Sequence, residues 1–159
     1  MGLIDTLERL LIPSKRSKSE RINLKEVMCK PKKRDLIETV RTPAVGCEYR
    51  NIDGSERQAA LERLKEGERI RLLWDTGKDG TKKTIYLVRG RNTQAFSMTN
   101  CFGRLNDKAA EDVIRRLTQE QIATAAHVAK IVGGTRKKPK LGCFIALSTY
   151  RTSESKAQQ

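Results

Sequence analysis

Aromatic residues are scarce in this 159-residue chain, with one tryptophan, three tyrosines and three phenylalanines. A chain of this length makes about one domain, and its core must be mostly aliphatic. Histidine is represented by His127 alone. It lies in "ATAAHVAKIV" among small apolar neighbours, which fits a core or rim residue better than a catalytic or metal-binding one. The four cysteines, Cys29, Cys47, Cys101 and Cys143, form no C-x-x-C pair. A zinc site needs four ligands, usually as two close pairs, so no metal is expected. Without a secretory signal the thiols are expected to be reduced and the protein cytoplasmic. No apolar run approaches the roughly 18–20 residues of a membrane span. The sequence holds no nucleophile–base pair, no phosphate-cradling glycine loop and no H-E-x-x-H. Asp75 and Asp79 with Glu48 or Asp53 give no sign of the convergence that two-metal chemistry requires. The expectation is a protein that is not an enzyme and carries no cofactor.

What the chain has in excess is positive charge. Its formal net charge is +14 and its pI is near 10.0. That balance in a small domain is the electrostatic footprint of a nucleic-acid binder, and ribosome-associated and anionic-membrane-binding proteins share it.

The organisation falls into three parts: residues 1–34, 35–151 and 152–159. In the first, "LIDTLERLL" puts Leu3, Leu7, Leu10 and Leu11 on one face of a short amphipathic helix, stopped by Pro13. This face is a candidate surface for a protein partner or for self-association. The following "SKRSKSERINLKEVMCKPKKRD" reads as a basic arm, and the last eight residues read as a disordered tail. Between them, "LIETVRTPAVGCEY" (36–49) predicts a strand bent near Pro43, and Asn51-Ile52-Asp53-Gly54 predicts a turn. Ser55-Glu56-Arg57-Gln58 fits a capping box opening a helix to about Leu64, with Gly67 as its stop. "RIRLLWD" and "TIYLV" predict two strands joined by the loop "DTGKDGTKK". "AFSM" is a further candidate strand. A helix from about Asp107, taken as N-cap, to Leu117 buries Ala110, Val113, Ile114 and Leu117. Two strands, roughly 125–132 and 142–149, follow. Short strands with two inserted helices predict a mainly β (α+β) fold, a small β-barrel with helical caps, rather than a doubly wound sheet.

Several of these pieces occur in one order: "VGCEY", "NIDGSERQ", "GERIRL" (67–72), "TIYLV", "FGRLNDKAAEDVIRRL", "VAKIVGG" and "GCFIAL". This order resembles the HIRAN domain family over about residues 36–150. Phe102-Gly103-Arg104-Leu105 running into the helix at Asp107 is its most characteristic piece. The resemblance implies an OB-like β-barrel that holds single-stranded DNA, including 3′ ends, as such domains do when fused to fork-remodelling helicases. OB-type barrels stack bases on aromatic rings over a charged groove. At the position of the family's aromatic-Asp step this chain has Gly80-Thr81, which leaves Trp74 or Tyr49 as the ring that would stand in.

The candidate nucleic-acid-binding residues are therefore Arg41, Tyr49, Arg50, Trp74, Lys78, Lys82, Lys83, Arg104, Arg136, Lys137, Lys138 and Lys140. The lysines of the 76–83 loop suit a groove rim. Arg136, Lys137, Lys138 and Lys140 form the densest positive run, in the link "GGTRKKPKL" between the last two strands. Tyr49, Arg50 and Asn51 suit the lip of the groove. Trp74 alternates with Ile70 and Leu72, which also fits a core position. The first functional expectation is a non-catalytic module for single-stranded or end-containing DNA. An RNA-binding or ribosome-associated protein is the second, and an adaptor recruiting a DNA-processing enzyme through its N-terminal helix is the third.

Overall fold

A computed structural model describes residues 24–27, 32–90 and 98–151. The Leu3–Leu11 helix, most of the basic arm, residues 95–97 of the "AFSM" strand and the tail from residue 152 lie outside them. The described residues form seven strands and two α-helices. The strands are β1 (Leu24–Glu26), β2 (Leu36–Pro43), β3 (Arg69–Asp75), β4 (Thr84–Val88), β5 (Cys101–Arg104), β6 (Ile122–Gly133) and β7 (Leu141–Arg151). The helices are α1 (Arg57–Glu62) and α2 (Asp107–Gln119). The fold is thus mostly antiparallel β with few helices, as the strand pattern predicts.

The hydrogen-bonded order is β2-β7-β6-β3-β4-β5, with β1 added to β3. The path then returns on itself. Just past β2, Val45 makes a bridge with Arg104 at the end of β5, with both backbone bonds formed, at 2.9 and 3.0 Å. A sheet that meets itself hides its terminal strands from other chains. Here the closure is a single bridge, so the rest of β2 keeps one side outside the ladder.

Beneath the sheet, Phe102, Leu61, Leu72, Ile85, Leu87, Val128 and Ile145 are fully buried. Helix α2 adds Ala110, Val113 and Ile114 to this core, at the spacing of one helical face. Each large aliphatic or aromatic side chain so buried contributes about 1.5–3 kcal/mol. A second cluster of Leu24, Leu73, Val88, Met98 and Cys101 lies on the other face of β3. Strand β3 is therefore buried on both sides, Leu72 in one cluster and Leu73 in the other.

The structure corrects several sequence expectations. Residues 24–26 do not belong to a loose arm: Leu24 is fully buried and pairs with Asp75. Its neighbours in the arm are charged, so a three-residue strand left no periodic signal. The capping box at Ser55 does not form. Glu56 is the N-cap of α1 and makes no side-chain cap bond, because the Ser55 hydroxyl bonds Asp53 Oδ1 instead, at 2.5 Å. The cap of α2 is Asn106, whose Oδ1 accepts from Ala109 N at 2.8 Å, and not Asp107. Phe102 to Arg104, expected only as the lead into the helix, form a strand of their own, β5. Strands β6 and β7 extend beyond their predicted ends, since a two-stranded ladder continues wherever both partners reach.

Candidate nucleic-acid interface

The lip of the molecule is built on Gly46. Its φ is +70°, and a Cβ there would stand 2.8 Å from Arg57 Nη1 and 3.4 Å from Tyr49 Cδ2. Only glycine meets both demands. The following turn closes with Tyr49 N on Gly46 O at 3.2 Å and leaves the Tyr49 ring 70% exposed.

Buried side chains fix this turn from behind. Asn51 Nδ2 donates to Met98 O at 2.7 Å and Cys101 O at 3.0 Å, while its Oδ1 accepts from Arg57 Nε at 2.9 Å. Arg57 Nη1 donates to Gly46 O at 2.8 Å, and its guanidinium carbon lies 5.9 Å from the Tyr86 ring centre. Burial pushes the Tyr86 hydroxyl pKa upward, so the ring stays neutral beneath that cation. Gln58 spans the gap to β7: Nε2 donates to Cys47 O and Leu141 O, and Oε1 accepts from Leu141 N at 2.8 Å.

These contacts enclose a concavity of about 230 Å³ whose walls include Tyr49, Arg50, Arg57, Gln58 and Lys140, with Glu48 and Glu56. Arg50 Nη2 pairs with Glu56 Oε1 at 3.0 Å, with side chains 69% and 58% exposed. A pair so exposed is worth about 0–1 kcal/mol and yields readily to a better anion. Arg104 also reaches Gly46, its Nε 3.8 Å from the same Cβ position, with a weak link to Asp107 at 3.4 Å.

The predicted residues divide into two groups. Tyr49, Arg50 and Lys140 share the concavity, and Arg104 flanks it. Arg136, Lys137 and Lys138 stand exposed at the β6–β7 tip, a turn closed by Thr135 N on Lys138 O, one short step along the chain from Lys140. Lys78, Lys82 and Lys83 belong elsewhere. Strand β3 runs antiparallel to β6, so the β3–β4 and β6–β7 loops leave these strands at opposite ends. Lys82 Nζ is held by the buried Asp75 at 2.9 Å, and Lys82 O accepts from Trp74 Nε1 at 2.8 Å. Trp74 packs half-buried against the core, with Lys25 Nζ 5.8 Å from its ring centre. Arg41, on β2, lies 5.8 Å from the Phe144 ring centre, on the sheet face. His127 pairs with Ala146 and lines a separate shallow hollow with Arg69, Ser148 and Tyr150. The carboxylates Asp53 and Asp79 are each engaged locally, by Ser55 and Thr81.

Sequence reasoning missed Arg57 and Gln58. Both sit inside the apparent capping box, which assigned Gln58 a helix-start role and Arg57 none. Their partners, Gly46, Cys47 and Leu141, are 11 or 83 residues distant.

Comparison with protein-family models, with curated proteins and with solved structures returns no match. No helix among the described residues is long and apolar enough to cross a membrane.

Proposed function

We propose that the chain is a non-catalytic nucleic-acid-binding module, an OB-like barrel of HIRAN type, that takes single-stranded or end-containing DNA at the Tyr49 lip. The observation that carries this reading is one exposed tyrosine standing at a concavity among Arg50, Arg57 and Lys140. A base stacks on the Tyr49 ring, an interaction every base offers. The adjoining phosphates meet Arg50 and Lys140, with Arg104 and the β6–β7 tip continuing the basic track. Arg50 exchanges its weak partner Glu56 for phosphate. Arg57 is already bonded twice and serves to hold the turn and to supply a fixed positive field. The net charge of +14 draws a polyanion in from a distance, and the return of the sheet through Val45 is in keeping with a barrel.

The test is fluorescence anisotropy with labelled single-stranded DNA bearing 3′-hydroxyl, 3′-phosphate or blocked ends, with duplex DNA and RNA of matched sequence, over a salt series. Tighter binding to single-stranded DNA than to duplex or RNA is expected. Equal, steeply salt-dependent binding to every form would reduce the site to a basic surface and overturn the proposal.

A further inference from the structure

Strand β2 ends the hydrogen-bonded order, and ahead of the bridge at Val45 its second side meets no strand among the described residues. The backbone bonds show which groups lie on that side. Ala44 N donates to Cys143 O at 2.9 Å, whereas Val45 N donates to Arg104 O at 2.9 Å. Even-numbered residues here therefore address β7, and odd-numbered ones address the open side. The register runs without a shift from Pro43↔Phe144 back to Glu38↔Thr149, so the N–H and C=O of Thr39 and Arg41 point away from β7. Two side chains agree with this parity. Thr39 and Ser148 form a non-hydrogen-bonded, closer pair, and their hydroxyls meet at 3.0 Å. Pro43, which has no N–H, falls on the open side, where an edge strand tolerates it.

We propose that this edge of β2 receives an extended acidic segment of a partner protein, which adds a strand beside Thr39 and Arg41. Backbone donors and acceptors left open in this order select an extended chain. The two faces of the edge then set the partner's alternation. Glu38, Val40 and Thr42 share the face toward α2. Glu38 Oε1 accepts from Arg116 Nη2 at 2.8 Å, and Thr42 Oγ1 accepts from Asn106 Nδ2 at 2.8 Å. Val40 stands between these two contacts, 46% exposed, and offers an apolar residue of the incoming strand a place to pack. Arg41 lies on the opposite face, over the part-exposed Phe144 ring, and a carboxylate directly across from it is the matching cross-strand partner. Lys33 and Arg34, exposed just ahead of β2, extend the positive charge toward the start of the strand. The net charge of +14 attracts an acidic segment and repels a second copy of the chain.

The inference does not rest on the nucleic-acid reading, because its readout is the exchange of individual β2 amides. The probe is a synthetic peptide of alternating glutamate and valine, blocked at both ends, added to the full-length protein, with hydrogen exchange followed by NMR. In the protein alone, the Thr39 and Arg41 amides exchange fast, while Val40 and Thr42 are protected by β7. The peptide is expected to slow Thr39 and Arg41 and to leave Val40 and Thr42 unchanged. N-methylation of its glutamate nitrogens should abolish binding, because those donors face Thr39 O and Arg41 O; N-methylation of the valine nitrogens should not. Arg41→Glu should weaken binding of this peptide and reduce its advantage over a lysine–valine peptide. Thr39 and Arg41 amides already protected in the protein alone would show the edge covered by another part of the chain or, where sedimentation gives a dimer, by a second copy. Either result would overturn the proposal. So would no slowing by the peptide, equal binding of the glutamate and lysine peptides, or protection of the same two amides by single-stranded DNA. The wild-type exchange decides even if Arg41→Glu fails to fold.

Discussion

Arg71 Nη2 donates to Glu26 Oε2 at 2.9 Å while Arg71 Nε engages the other oxygen, with side chains 1% and 2% exposed. This fork-to-fork pair ties β1, only three residues long, to the middle of β3. Removing one partner of a buried ion pair leaves the other charge unsolvated and costs about 3–5 kcal/mol. Glu26→Ala is therefore expected to lower unfolding free energy by that order in urea titration. Replacing both residues by methionine should recover much of the loss. If Glu26→Ala unfolds at the wild-type midpoint, β1 is not held by this pair.

A second buried carboxylate, Asp75, gives a pH-dependent counterpart. Its hydrogen bond raises the Lys82 pKa above the usual value of 10.5, outweighing partial desolvation. A folded-state pKa above the unfolded one means the folded protein holds the proton more tightly. The contribution is fully present below pH 10.5 and is lost as pH rises through the folded-state value. Lys82→Met should lower stability at neutral pH and flatten the fall in stability above about pH 10.5. Because Lys82 is half-exposed, the neutral-pH loss should be smaller than for Glu26→Ala. Unfolding curves at neutral and alkaline pH check both statements. An equal alkaline fall in wild type and variant would mean that Lys82 is not its source.

The sheet was legible where one side chain in two or one helical face is buried. Helix α2 shows its face as Ala110, Val113 and Ile114, and β4 shows its punctuation. Strand β3 was legible as a strand, but not as one buried on both sides. Arg71 in "RIRLLWD" reads as a solvent-facing position, and its partner Glu26 is 45 residues earlier, in a stretch dominated by lysine. The same limit applies to the interface. Tyr49 and Arg50 are visible as an aromatic–cation step beside a turn, and Lys140 as part of a basic run. That these meet in one hollow depends on Gln58 bridging Cys47 and Leu141, a contact no local pattern encodes. The 76–83 loop carries as many lysines as a groove rim would need, yet strand direction alone sends it to the other end of the sheet.

Tyr49 separates binding from folding. Its ring makes little packing, so Tyr49→Ala should change stability by no more than about 0.5 kcal/mol, as for other exposed sites. Loss of a base–aromatic stack should weaken single-stranded DNA binding by about 1–3 kcal/mol. Trp74→Phe should leave affinity unchanged, because the indole is committed to Lys82 O and the core. Thermal unfolding and anisotropy on the same samples distinguish the outcomes. Unchanged affinity in Tyr49→Ala would remove the stacking role.

The two basic loops make the most direct test of geometry. Each phosphate contact on single-stranded DNA contributes about −0.7 to the slope of log affinity against log salt. Replacing Arg50 and Lys140 with glutamine should make that slope shallower by up to about 1.4 and weaken binding at low salt. Replacing Lys78 and Lys83 with glutamine removes the same formal charge from the opposite end of β3. That variant should lose a little long-range attraction but keep the wild-type slope. Net charge is identical in the two double variants, so a nonspecific polycation would respond equally to both. A difference confined to Arg50 and Lys140 places the phosphates at the Tyr49 lip; equal responses would show that charge alone governs binding.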